Sequence, residues 1–272
     1  MNGIQRNGPR RNGPLALAFN ALVITFMLAP LLVVCAVAFT AENTLSLPGW
    51  NWSLRWFHAV FAHPDFMQSF WNSLWLALAS ATLATLLAVP AALAINRCQF
   101  AGREALNGLF MSPLVVPHLV LGVALLRLFA LVGGTGSFAW LVLAHALVIT
   151  PYVLRLVLAA LVGFDRSVEQ AAASLGASHA TVFCRVTLPL ILPGVSGGWL
   201  LAFINSFDEV TMSIFVTAPS TVTLPVRMYM YATESIDPLM AAVSALMVAI
   251  TAVAMVALDR LYGLDRVLVG KA

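Results

Sequence analysis

The chain has 272 residues, of which 61% are hydrophobic and only 9% charged, with a mean hydropathy of +0.94. Soluble domains are roughly 45–50% apolar and about 25% charged, so this composition excludes an ordinary soluble globule and points to a protein that lives in a bilayer. The net charge of +3 comes from scattered basic residues with no basic face or stacking platform, which argues against a nucleic-acid binder.

In chain order, a tail over residues 1–14 carries Arg6, Arg10 and Arg11. The apolar run behind it is longer than the roughly 7–15 residues of a secretory signal core, and further spans follow, so it is expected to be an uncleaved first helix with no soluble domain left to export. A transmembrane helix needs roughly 20 mostly apolar residues, and that criterion predicts six spans, at about 15–39, 70–95, 105–131, 138–162, 190–207 and 238–261. Between the first two, Trp50, Trp52 and Trp56 suit an interfacial aromatic belt and a short helix lying on the membrane. The stretch 163–189 is a polar amphipathic island. Its first half is Ala-rich and helix-favouring, Gly176 permits a sharp break, Arg185 closes the polar part, and Leu188-Pro189 opens the next apolar run.

After the fifth span, residues 208–237 contain SIFVTA, which is apolar but too short to cross, followed by Pro219 and Pro225. The segment is expected to be re-entrant or folded into a cavity. Non-helical backbone at membrane depth survives only where protein or water satisfies it, which hints at a pathway. Gly194, Gly197 and Gly198 would let the fifth helix approach another closely. Residues 262–272 form a second tail.

Ten of the fourteen cationic side chains fall on one side of this layout: the three tail arginines, Arg97 and Arg103, Arg166 and Arg185, and Arg260, Arg266 and Lys271. The other side holds Arg55 and Arg227. Short positively charged loops stay cytoplasmic, so both termini and the 163–189 loop are expected there. Arg127 and Arg155 lie within spans and are expected to snorkel or to face protein or water. His118 and His145 also lie within spans and either line a cavity or bond between helices.

The chemistry missing from the sequence narrows its function. The only lysine is Lys271, in Gly270-Lys271-Ala272, so there is no GxxxxGK[ST] phosphate loop, and any ATP hydrolysis belongs to another chain. Cys35, Cys98 and Cys184 show no C-x-x-C spacing, and the five histidines form no i, i+4 pair. Neither a disulfide nor a metal site is expected, and no G-x-S-x-G or H-E-x-x-H motif offers a home for hydrolysis.

The polar island resembles the EAA loop, EAA-x3-G-x9-I-x-LP, of the membrane subunits of binding-protein-dependent ABC importers. Gln170-Ala171-Ala172 stands where EAA would, Gly176 is the glycine, Val186 stands for Ile, and Leu188-Pro189 is the LP. Gln170 departs from Glu, and Glu169 beside it offers a carboxylate at a shifted angle. The resemblance runs along essentially the whole chain. Ser206-Phe207-Asp208-Glu209, TLPVRMY from Thr223 to Tyr229 and IDPLMAAVSALM from Ile236 to Met247 look like the spermidine/putrescine-type subfamily.

That resemblance implies an all-α, polytopic fold with six transmembrane helices, the ABC importer permease (MetI-like) fold. It also implies residence in the bacterial inner membrane and pairing with a second homologous permease subunit as a heterodimer. An ATPase dimer holding ATP and Mg and a periplasmic solute-binding protein complete the implied assembly, with no cofactor on this chain. Within it the loop would be a coupling helix seated in the ATPase, with Glu169 and Arg185 pairing at the rim. Small side chains at Ala171, Ala172 and Ala173 would let the two backbones come close. Asp208, Glu209 and Ser206 are candidate pathway residues: two adjacent carboxylates would attract an ammonium group, or would brace the re-entrant segment, with Arg227 as a possible partner. The expected function is therefore half of the translocation pathway for a small cationic solute, a polyamine first, with an amino-acid-like or aminophosphonate solute as the alternative. An ion-gradient-driven secondary transporter is the other class, and the inverted repeat common there is not evident.

Overall fold

The computed structural model describes residues 13–163 and 165–262. Arg6, Arg10, Arg11, Arg266 and Lys271, on which part of the charge argument rests, lie outside them. Among the described residues the chain is built from helices, with one isolated antiparallel bridge between Thr40 and Trp52.

Long apolar helices run over α1 (Pro14–Val37), α3 (Pro64–Arg97), α6 (Phe138–Val162), α9 (Leu188–Phe207) and α12 (Pro238–Tyr262). The second expected span, 70–95, is longer in the structure, because Pro64 sits in the first turn, where its missing N–H costs nothing, and Asp65 complements the positive helix start. The expected single span 105–131 is not one helix. It is α4 (Arg103–Met111), a 3-10 turn (Ser112–Leu114) and α5 (His118–Leu131), with the two arms bent by 102°. Pro113 and Pro117 account for the break: neither can donate a helical hydrogen bond, and each disfavours helical backbone in the residue before it.

Shorter helices fill the connections: α2 (Arg55–Ala62), α7 (Ser167–Ser174), α8 (His179–Val182), α10 (Ser213–Val216) and α11 (Leu224–Glu234). The chain divides into two compact units. One takes the chain to Val60 together with Ile236–Leu246; the other takes Phe61–Ser235 and the chain from Met247.

In the first unit, α1 is an apolar helix open on nearly all sides, as a helix bathed in lipid would be. The loop after it is tied by Arg55, which donates to the Ala41 carbonyl (2.8 Å) and to Asn43, and by Trp56, whose indole N–H donates to the Glu42 carbonyl (3.2 Å). Trp50 and Trp52 point outward as an interfacial belt requires, whereas Trp56 is buried under the Arg55 guanidinium.

The second unit has α3, α6 and α9 as its core. Each contributes a stripe spaced mainly by four residues. On α3 the stripe is small: Ser73, Ala77, Ala81, Ala84, Ala88 and Ala92 are all buried. On α9, a Cβ added at Gly194 would stand 2.6 Å from the Ala160 Cβ and 2.9 Å from the Leu156 carbonyl oxygen, and one at Gly198 would stand 3.1 Å from the Val153 Cα. Lipid offers no hydrophobic drive between helices, so such close backbone approach supplies the attraction through packing.

Gly194→Val is therefore expected to destabilise the α6–α9 contact by about 1–3 kcal/mol, the usual cost of overpacking. A lowered melting temperature of the detergent-purified protein is the expected reading, with Gly49→Ala, which has open space around it, leaving the melt unchanged.

Candidate functional site

The polar loop between α6 and α9 is a helix, a sharp turn and a second helix. Asp165 starts it: its carboxylate accepts the Ser167 backbone N–H (2.9 Å) and hydroxyl (2.8 Å), and those hydrogen bonds hold its pKa below the usual value. Helix α7 ends at Gly176, whose φ of +87° is the left-handed conformation that glycine takes without strain. The Gly176 N–H reaches the Ala173 carbonyl (2.9 Å) and the Ala177 N–H reaches that of Ala172 (3.2 Å), the Schellman pattern. Ser178 then caps α8 by accepting the Thr181 N–H (3.3 Å). A π turn over Phe183–Thr187 leads into α9, just ahead of Pro189. The wider turn is where a proline ring, which cannot donate and crowds the carbonyl four residues back, is accommodated.

Glu169 is turned inward. Its carboxylate pairs with Arg97, at the C-terminal end of α3, and accepts the Thr187 hydroxyl, at the entry to α9. Arg166 donates to the Asn96 carbonyl (2.8 Å) and side-chain oxygen (2.9 Å), adding a second tie to the same end of α3. The expected Glu169–Arg185 pair is thus replaced by Glu169–Arg97, and Arg185 is exposed. Arg97 lies at a helix C-terminus, where a cation is favoured by the helix dipole, so the carboxylate meets a guanidinium already held in place.

Outward, α7 presents Gln170, Ala171 and Ala173, with Ala172 half-buried. Leu175 is 90% exposed. Beyond the turn, Val186 and Leu188 are half-buried and Pro189 is exposed.

At the other end of α9, the three candidate pathway residues separate into different surroundings. Ser206 is buried and shares a hydrogen bond with His145 Nδ1 (2.9 Å), while His145 Nε2 meets the Ser213 hydroxyl (2.9 Å). Glu209 accepts the Met212 N–H (2.7 Å) and pairs with His118 Nδ1 (2.9 Å). Asp208 alone is exposed, although partial desolvation, ahead of the neighbouring Glu209 carboxylate, raises its pKa above the ordinary value. Arg227 meets Asp65 (3.6 Å) rather than either carboxylate. His145 thus bonds α6 to α9 and α10, and His118 bonds α5 to the segment after α9, with partners 61 and 91 residues away that no local pattern reveals. Arg97, Arg166 and Thr187 were legible only as a loop charge, a loop charge and a small polar residue.

This is a helical protein with several helices long and apolar enough to cross a membrane, a surface loop tied to two of them, and an exposed carboxylate at the far end of one. The family of binding-protein-dependent transport system inner membrane components matches residues 84–264, and the chain belongs to it, as a permease subunit of an ABC importer. It is 34% identical over 245 residues, 90% of this chain and 94% of the other, to the spermidine/putrescine transport system permease protein PotC of Haemophilus influenzae. It is 32% identical to the putrescine transport system permease protein PotI of Escherichia coli K12, with 85% of each chain covered. Its fold matches that of a chain of a bacterial ABC transporter involved in the import of the acidic polysaccharide alginate, with a TM-score of 0.65 at 14% identity over 94% of this chain and 97% of the other.

Glu169→Gln removes the charge that Arg97 and Thr187 share. Opening of α7 is expected to become easier by about 1–2 kcal/mol, a roughly 5–30-fold faster amide exchange across residues 167–175. Gln170→Ala, on the exposed side, should leave that exchange unchanged in the same hydrogen–deuterium measurement.

Proposed function

We propose that this chain forms half of the translocation pathway of an ATP-driven importer of polyamines, in the bacterial inner membrane and with its termini in the cytoplasm. The reading rests on similarity to polyamine permeases along nine-tenths of the chain. The exposed Asp208 supports it: a carboxylate at the end of α9 offers a propagating ammonium group a counter-charge without blocking it.

On this reading a homologous permease subunit supplies the other half, a periplasmic solute-binding protein delivers cargo, and ATP and Mg reside on a separate ATPase dimer. The surface formed by Gln170, Ala171, Ala173 and Leu175 is what the ATPase grips, since small side chains admit a second backbone and Leu175 offers an apolar knob. Glu169 faces the permease and makes the gripped helix one body with the ends of α3 and α9. Closure of the ATPase then pulls on two spans at once, the kind of displacement that alternates access.

Uptake of labelled putrescine and spermidine, in cells expressing the chain with its neighbouring transport genes, is expected to vanish when the ATPase partner is inactivated. Assembly without polyamine uptake would remove the cargo, and uptake indifferent to the ATPase would remove the importer mechanism. Asp208→Asn is expected to raise KM for both amines by about tenfold, the ~1.4 kcal/mol of one partly desolvated charge contact, with assembly intact. An unchanged KM would make Asp208 a bystander.

Gly176→Val forces a β-branched residue into the left-handed region, with no neighbour within 4 Å to clash. Insertion should therefore survive while ATP hydrolysis continues without uptake; normally coupled uptake in this variant would contradict the role given to the turn.

A further inference from the structure

The last two turns of α9 carry an open stripe. Leu201, Asn205 and Asp208 stand at i, i+4 and i+7 and so share a face. Leu201 is 38% exposed, Asp208 is exposed and Asn205 is half-buried, while Phe203 and Phe207, on the other side of the same turns, are buried.

The Asn205 amide has a fixed orientation. Its Nδ2 donates to the Leu201 carbonyl one turn back (2.8 Å). A carbonyl can only accept, so the amide nitrogen is the end that faces it, and the amide oxygen is turned away from that bond. Neither this oxygen nor the Asp208 carboxylate has a hydrogen-bond partner among the described residues. Helical side chains lean toward the N-terminus, which carries the Asp208 carboxylate back over the turn that holds Asn205. The stripe therefore offers two neighbouring acceptors, one charged and one neutral, and its only side-chain donor is already used. A lone carboxylate attracts any cation, whatever surrounds the positive nitrogen. Two acceptors side by side favour a cation that carries N–H groups, and Leu201 beneath them supplies apolar surface for a methylene chain.

We propose that Asn205 is a specificity-determining residue: its amide oxygen and the Asp208 carboxylate together accept the N–H groups of one ammonium ion, so that the site takes primary and secondary amines and rejects quaternary ones. Leu201 supports the carbon chain that leads from that nitrogen to the next. Glu209, held by His118 and the Met212 N–H, adds negative field without sharing this face. The inference rests on the polyamine reading above and narrows it to the chemistry at the nitrogen.

The test is binding of labelled putrescine to the permease–ATPase complex purified in detergent without the solute-binding protein, which would otherwise select the cargo first. The competitors are unlabelled putrescine and its permethylated form, in which both nitrogens are quaternary. Against the wild-type complex the permethylated amine is expected to compete at least about tenfold more weakly. Asn205→Leu should weaken putrescine by about fivefold and leave the permethylated amine unchanged, which narrows the gap between them. Its melting temperature should match the wild type, because the Leu201 carbonyl keeps its helical bond; Asn205→Ala serves if the leucine variant fails to assemble. Asp208→Asn should weaken both amines together. Equal competition by the two amines, or a loss in Asn205→Leu that is the same for both, would overturn the role of Asn205. So would putrescine binding that Asp208→Asn weakens and Asn205→Leu does not, and that result would leave the polyamine reading standing. A wild-type complex that binds neither amine would overturn the reading and this site together.

Discussion

A buried peptide group that no helix pairs must find another partner, and the irregular stretch after α9 is held by that constraint. Four side chains from three other helices meet the need. Asn72 of α3 donates to the Ser220 (3.1 Å) and Val222 (3.0 Å) carbonyls, and Ser73 accepts the Leu224 N–H (2.7 Å). His145 of α6 joins Ser206 to Ser213, and His118 of α5 holds Glu209, which itself accepts the Met212 N–H. Polar residues that look out of place in apolar spans are the scaffold of a segment that could not otherwise lie there. Gly122 completes it sterically, since a Cβ there would meet the Phe215 ring at 2.9 Å and the Met212 backbone at 3.1 Å.

The same economy of polar groups governs the other end of the bundle. Glu169 has two partners on two different spans, and a carboxylate with one guanidinium and one hydroxyl is far better satisfied than one left facing the loop's own Arg185. Because α3, α6 and α9 meet through small residues, the two spans so tied share backbone contact with α6 as well. Interfaces packed this closely shift between discrete arrangements rather than deform smoothly.

Hydropathy is a local property, so the apolar helices, the polar island and the short SIFVTA stretch were legible from the sequence. Gly176 was legible too, because a glycine ahead of a second helical run has few other uses. The break in the third span was written in Pro113 and Pro117 but outvoted by the apolar residues around them. Pairings across the fold were not legible. Glu169 meets Arg97 at a separation of 72 residues, and a reading confined to the loop finds only Arg185. At Asp208 and Glu209 the sequence left attraction of a cation and bracing of the next segment both open; the chain leaves the helix at Asp208, so Glu209 braces the following turn while Asp208 remains exposed. The small-residue stripe of α3 is not legible in the sequence because alanine and serine are common one at a time and matter only when their four-residue spacing meets another helix.

Helix α9 joins these observations. It starts at the π turn that Thr187 ties to Glu169 and ends at Asp208, 20 residues and about 30 Å later. Two prolines lie in its first third, Pro189 and Pro193, yet Gly194 and Gly198 press it against α6 directly beyond them. On the proposed mechanism, a displacement applied to α7 would enter α9 through a carboxylate contact, pass the two prolines, and meet close packing after that. On the same mechanism, an open Asp208 on a helix so connected would change its surroundings when the loop moves, whereas Glu209 is held by His118 and the Met212 N–H. Of the two neighbouring charges, Glu209 is committed to His118 and the Met212 N–H and Asp208 alone is open, which is why the proposed contact with a cation falls to Asp208.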